Sequence, residues 1–145
     1  MENITPKAKN DGTDPKKNDG TDETVGFTTR SCYIQLVNKW GKKITNVTLT
    51  HTSDHNDVIS MLFMEDDAQS EIKHINYETG WWASFDYWNV SFTDDNNRRW
   101  ATPWNDRCNI SRIDEGSTVQ CVIDGKDNHL HIKVVDGCSF IIDNI

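Results

Sequence analysis

"ETGWWASFDYWNVSF", Glu78 to Phe92, places Trp81, Trp82, Phe85, Tyr87, Trp88 and Phe92 within fifteen residues of an otherwise polar chain. Counted with the period of two that a strand imposes, Trp82, Ser84, Asp86, Trp88, Val90 and Phe92 share one face of a strand running from Trp81 to Thr93. Trp81, Ala83, Phe85, Tyr87, Asn89 and Ser91 share the other. Toward Phe92 the split is clean, so Trp88, Val90 and Phe92 are expected in the core. Toward Trp81 it is not, because rings fall on the side that is polar further along. Either a bulge near Ala83 to Asp86 turns them inward, or they stand out as an aromatic shelf beside Asp86.

The same pattern extends outward on both sides. Short alternating segments bounded by Gly, Asn and Asp are expected as strands at 32–37, 44–51, 58–64 and 71–77, then 98–102, 118–123, 129–135 and 139–142. Sustained helical periodicity is absent. Val47, Leu49 and His51 fall on one face of their strand, and Leu130, Ile132 and Val134 on one face of theirs. About eight to nine short strands at this spacing predict an all-β, antiparallel β-sandwich over residues 30–145.

Residues 1–29 differ in kind. They are rich in Asn, Asp, Gly, Thr and Lys, and KNDGTD occurs twice, at Lys9–Asp14 and Lys17–Asp22. Such a segment buries too little to offset its ordering entropy and reads as a flexible polar tail or linker. The opening MENITPKAKNDGTD has no apolar h-region of a signal peptide, and no run is long enough for a membrane helix, so a soluble protein, cytoplasmic or released without a leader, is expected. A net charge of -8 with only short basic pairs, Lys42-Lys43 and Arg98-Arg99, argues against nucleic acid as the partner.

Cys32, Cys108, Cys121 and Cys138 form no C-x-x-C pair, so free, half-buried thiols are the leading expectation. If two of them bridge, Cys108 with Cys138 is the preferred pair. Asn3, Asn46, Asn89 and Asn109 sit in N-x-[ST] triplets, which matter only in a secreted eukaryotic chain.

A resemblance rests on Thr79-Gly80, Asp86-Tyr87-Trp88, Val90, Phe92, Trp100, Cys108, Asp114 and Cys138-Ser139-Phe140. It also rests on Asn38, Trp40, Gly41, Val47, Leu49 and His51 within "LVNKWGKKITNVTLTH". With this spacing the chain, from about Tyr33 to Asp143, resembles the up-regulated in Daf-Two domain. The resemblance implies an all-β fold, and it brings no activity or catalytic residues. More loosely, such small acidic sandwiches are similar to aegerolysins and actinoporin-like proteins, which bind lipid headgroups or sugars; architecture alone does not carry that function across.

No G-x-S-x-G elbow, P-loop or G-x-G-x-x-G is present, and a non-enzymatic protein is expected. His129 and His131 share a strand face and offer two metal ligands, which is not yet a site. A third would have to come from His51, His55 or His74, and a polar solvent face continued by Lys133 is the plainer reading. His51, on the apolar side of its strand, is expected to be a hydrogen-bonded structural histidine. Among the turn carboxylates, Asp94 and Asp95 with Asn97 are the first candidates for a calcium ion. The expected function is recognition of a lipid headgroup or a glycan through Trp81, Phe85, Asp86, Tyr87 and Trp104. Assembly with a protein partner through the same rings is the alternative.

Overall fold

The computed structural model describes residues 26–103 and 106–145. Residues 1–25 of the expected tail, with its repeat, and Trp104 lie outside the described residues, while Thr28 and Thr29 of that tail already belong to the first strand. Among the described residues eleven strands occur in order: β1 (Thr28–Lys39), β2 (Ile44–Thr52), β3 (Asn56–Met64), β4 (Lys73–Thr79), β5 (Tyr87–Thr93), β6 (Arg99–Ala101), β7 (Asp106–Arg107), β8 (Thr118–Asp124), β9 (His129–Ile132), β10 (Cys138–Ile141) and β11 (Asp143–Asn144). A 3-10 turn, Arg112–Asp114, precedes β8. One sheet is ordered β10-β9-β8-β1-β4 and the other β11-β6-β5-β2-β3, with β7 also pairing β5. The protein is all-β with two sheets, as the alternation predicts.

The expected antiparallel rule does not hold between β1 and β8. β1 and β8 run parallel, from Tyr33 opposite Thr118 to Lys39 opposite Asp124. Antiparallel neighbours need only a tight turn, whereas a parallel pair needs a long crossover, and here the whole run of chain from β2 to β7 lies between the two. β1 and β8 alternate as the core demands, burying Cys32, Ile34 and Leu36 from one and Val119, Cys121 and Ile123 from the other. Val47 and Leu49 of β2, Trp88, Val90 and Phe92 of β5, and Leu130 and Ile132 of β9 complete the main packing. Trp40 closes one part of it, with its ring 4.9 Å from both Phe92 and Trp100, edge to face.

Cys108 and Cys138 form a disulfide, which corrects the expectation of four free thiols. The irregular segment after β7 brings Cys108 into the core beside β10, so the bridge joins residues 30 apart in sequence. Restricting a loop of that length in the unfolded chain contributes roughly 3 to 4 kcal/mol in the chain-entropy model. Cys32 and Cys121 are free and buried.

Two compact units can be distinguished. One comprises Glu78–Ala83 with the described part of Met1–Thr29; the other, Arg30–Tyr77 with Ser84–Ile145, holds the hydrophobic core.

Candidate binding surface

The strand expected over Trp81 to Thr93 begins only at Tyr87. Upstream the chain turns. Gly80 has φ +118°, and a Cβ there would sit 2.9 Å from the Gly26 carbonyl oxygen, so only glycine fits this turn. The Trp82 amide donates to the Gly26 carbonyl at 3.0 Å, and the Ala83 amide donates back to the Gly80 carbonyl. Period-two counting therefore stops applying before Tyr87. Trp82, assigned to the core face, is 77% exposed, and Trp81 is 95% exposed. Both belong to the smaller unit.

Phe85 and Tyr87 belong to the larger one. Phe85 is 48% exposed, with the Arg107 guanidinium 4.5 Å above its ring and the Tyr87 ring edge-on at 6.5 Å. Strand pairing explains the group, since Tyr87 lies opposite Arg107 of β7 on one side and Thr52 of β2 on the other. A shelf of two rings and a guanidinium is thus built at the start of β5.

From that shelf spreads the outer face of the second sheet. Because Val47, Leu49 and His51 of β2 and Trp88, Val90 and Phe92 of β5 are buried, their neighbours point out. β2 presents Thr48, Thr50 and Thr52, β5 presents Tyr87, Asn89, Ser91 and Thr93, and β3 presents Asn56, Val58, Ser60 and Leu62. Register sets them in rows: Ser60, Thr48 and Ser91 in one, Val58, Thr50 and Asn89 in the next, Asn56, Thr52 and Tyr87 in the last. Charged residues make up 26% of the chain, yet none stands at these outward positions. These three strands offer hydroxyls and amides beside exposed Val58 and Leu62, and the flanking strands add Arg99 opposite Thr93, Arg107 opposite Tyr87 and Asp143 opposite Ala101.

Asp86 does not belong to this surface. It is buried, and its Oδ1 lies 2.7 Å from His51 Nε2 while its Oδ2 accepts the Ile110 amide at 2.9 Å. Its own amide donates to Asn109 Oδ1, and its carbonyl accepts from the Cys108 amide. Asp86 is therefore the clamp that holds residues 108–110, and its assignment as a ligand contact is corrected. His51 is fully buried, with Nδ1 3.0 Å from Asp57 Oδ2 and the Trp88 ring 4.7 Å away. Burial works against its protonation, but the hydrogen bonds to Asp86 and then Asp57 outweigh it and raise its pKa. The structural role expected for His51 is what the geometry shows. Asp57 was missed, although it sits directly opposite His51 in the β2–β3 hairpin register.

Asp94 is buried and its carboxylate organises the β5–β6 turn. Oδ1 accepts the amides of Asn96 and Arg98, and Oδ2 accepts from Trp100 Nε1 at 2.9 Å and Arg98 Nε at 3.2 Å. Asn97 takes φ +64° in the same turn, and Asp95 points to solvent. With both Asp94 oxygens engaged in this way, the trio is a turn rather than a converging set of cation ligands. Cys32 and Cys121 offer no ready nucleophile, since burial, reinforced by Asp114, Asp86 and Asp57, pushes the Cys32 thiol up to about 12, and burial also raises Cys121. No helix among the described residues is long and apolar enough to cross a membrane. No protein-family model matches the chain, and no curated protein matches it.

Proposed function

We propose that the protein is a non-enzymatic recognition module that binds a glycan on the outer face of its second sheet, with Phe85 and Tyr87 as the aromatic platform. The observation that carries this reading is the group of neutral Thr, Ser and Asn side chains on β2, β3 and β5 that begins at that platform, with charge only at its flank, on Arg107, Arg99 and Asp143. Sugars present stacked C–H faces and a rim of neutral hydroxyls, and such a surface offers matching aromatic faces and neutral donors and acceptors. A lipid headgroup is the related possibility, and Arg107 beside Phe85 would serve a phosphate. The Cys108–Cys138 bridge supports a working place outside a reducing cytosol. The resemblance to the up-regulated in Daf-Two domain is consistent with this reading but adds no ligand.

Glycan-array binding by the wild-type chain and by Tyr87→Ala tests the proposal, with liposome flotation as the second arm. Saturable binding to a sugar, lost in Tyr87→Ala at unchanged melting temperature, is expected. Flotation with phospholipid vesicles and no array signal would move the ligand to the lipid class, and silence in both arms would overturn the proposal.

A second reading, contact with another protein, is favoured by a different observation. β3 is the edge of its sheet, carries no Lys or Pro, and leaves Leu62 80% exposed beside half-exposed Phe63. Loss of self-association or partner capture in Leu62→Lys, with glycan binding intact, would assign that edge.

A further inference from the structure

The β8–β9 hairpin gathers a histidine and two carboxylates at the surface: Asp124 Oδ2, Asp127 Oδ2 and His131 Nε2 converge within 4.8 Å of one another. Of the two histidines noted in the sequence, His131 finds companions here, in the turn that joins the strands, and His129 is not among the three. We propose that Asp124, Asp127 and His131 form a binding site for a divalent first-row transition ion of the zinc class, held from one side and open to water on the other.

The turn is fixed from outside. The Gly125 amide donates to the Lys39 carbonyl at 3.0 Å, and a Cβ on Gly125 would overlap the Trp40 carbonyl, so no other residue lets the turn lie so close. Beyond it the Asn128 carbonyl accepts the Ile142 amide at 2.8 Å. Each carboxylate then has one oxygen held and one directed to the histidine. Asp124 Oδ1 accepts the Lys126 amide and Asp127 Oδ1 accepts the His129 amide. The opposite oxygens lie 3.5 Å and 3.0 Å from His131 Nε2.

His131 is oriented from the neighbouring strand. Its Nδ1 is 2.6 Å from Ser139 Oγ, on the residue directly opposite it in β10. A histidine whose far nitrogen is tied to an oxygen presents the near nitrogen in a fixed direction, as metal-bound histidines do. Charge supplies the independent argument. A single ring nitrogen bears one proton and satisfies one carboxylate, so a second anion at the same nitrogen is left facing like charge. Among the described residues neither Asp124 nor Asp127 ion-pairs with a Lys or Arg, and the other basic group nearby, His129, has its Nδ1 3.7 Å from Asp127 Oδ1 and 2.7 Å from the Asp127 carbonyl oxygen. A divalent cation at the centre would neutralise both carboxylates and take the ring lone pair. One nitrogen with two carboxylate oxygens suits zinc, cobalt or manganese better than calcium, which takes oxygen ligands in greater number.

The test uses the full, untagged chain after chelator treatment. Titration calorimetry with zinc chloride, and the visible absorption of the cobalt(II) complex, are expected to give one site per chain. His131→Ala and Asp127→Asn should each weaken zinc binding by about 100-fold, and Ser139→Ala by about 10-fold, as loss of an orienting partner does. All three positions are partly solvated, so unchanged melting temperatures of the metal-free variants would show that folding is intact. Absence of saturable zinc and cobalt binding would overturn the proposal, as would one-site binding that His131→Ala leaves unchanged.

Discussion

His51 and His131 each meet two aspartates, and the two groups solve opposite problems. At His51 each ring nitrogen has its own carboxylate, Asp57 on Nδ1 and Asp86 on Nε2, with His51 and Asp86 fully buried and Asp57 partly so. At His131 both carboxylates share Nε2, Nδ1 belongs to Ser139, and the group is partly solvated. In the first cluster a proton on each nitrogen completes the set, and the hydrogen bonds to Asp86 and Asp57 favour the doubly protonated ring, which then serves as the central cation. In the second the ring cannot serve both carboxylates, which leaves a place for a cation from outside. The same three side chains make a structural core in one case and a candidate ion site in the other, and the difference lies in which ring nitrogens the carboxylates meet.

The hardest way to break this contrast is to remove the histidines. His51→Ala would leave Asp57 and Asp86 without their shared cation, and losing one partner of a buried ionic group costs about 3 to 5 kcal/mol. Urea denaturation should show this as a lower midpoint at unchanged slope. Trp88 would also lose the ring packed 4.7 Å from it, so a drop at the upper end is expected.

Replacing single carboxylates separates the two partners of His51. Asp86→Asn removes a charge-assisted bond to the ring and weakens the clamp on the Ile110 amide, and should cost about 1.5 to 3 kcal/mol. Asp57→Asn touches the outer nitrogen at the longer distance of 3.0 Å, and the half-exposed His55 at 3.6 Å, both closer to solvent, and should cost less. Equal losses in the two variants would mean that the clamp contributes nothing beyond the ion pair.

How much of this was legible follows from how far each contact reaches along the chain. The β2 and β5 faces follow from alternation alone, because side-chain direction in a strand is local. The aromatic stretch misled where the strand stopped: at Gly80 a turn bonded to Gly26 replaces the pleat, and no period counted from Trp81 survives it. The parallel pairing of β1 with β8 and the meeting of Cys108 with Cys138 are contacts across long stretches of chain, and composition carries little trace of them. Asp124 and Asp127 read as turn residues, which they are; that their outer oxygens converge on His131 depends on the conformation of the turn, not on spacing alone.

Titration provides a gentler contrast between the clusters. The pKa of His51 lies above the ordinary value of 6.5 in the folded protein, because its bonds to Asp86 and Asp57 overcome the effect of burial. The folded state therefore holds a proton that the unfolded state releases first. Its contribution is complete below about pH 6.5 and is lost as pH rises through the raised folded value. Stability measured by urea midpoints should fall over that interval in the wild-type chain and show no such fall in His51→Gln.

The smallest effect belongs to the surface cluster. His131→Ala in metal-free protein should change stability by less than about 1 kcal/mol, since the groups are partly solvated and exposed ion pairs contribute little. Its two carboxylates lose a neighbour but gain water, and the hairpin keeps its backbone bonds through Gly125 and Asn128. Zinc should reverse the ranking for this one site: an ion that binds only the folded protein stabilises it in proportion to the logarithm of its concentration over Kd, so the wild type should gain melting temperature with added zinc and His131→Ala should not. A shift of equal size in both would locate the ion elsewhere and leave the hairpin carboxylates as ordinary turn residues.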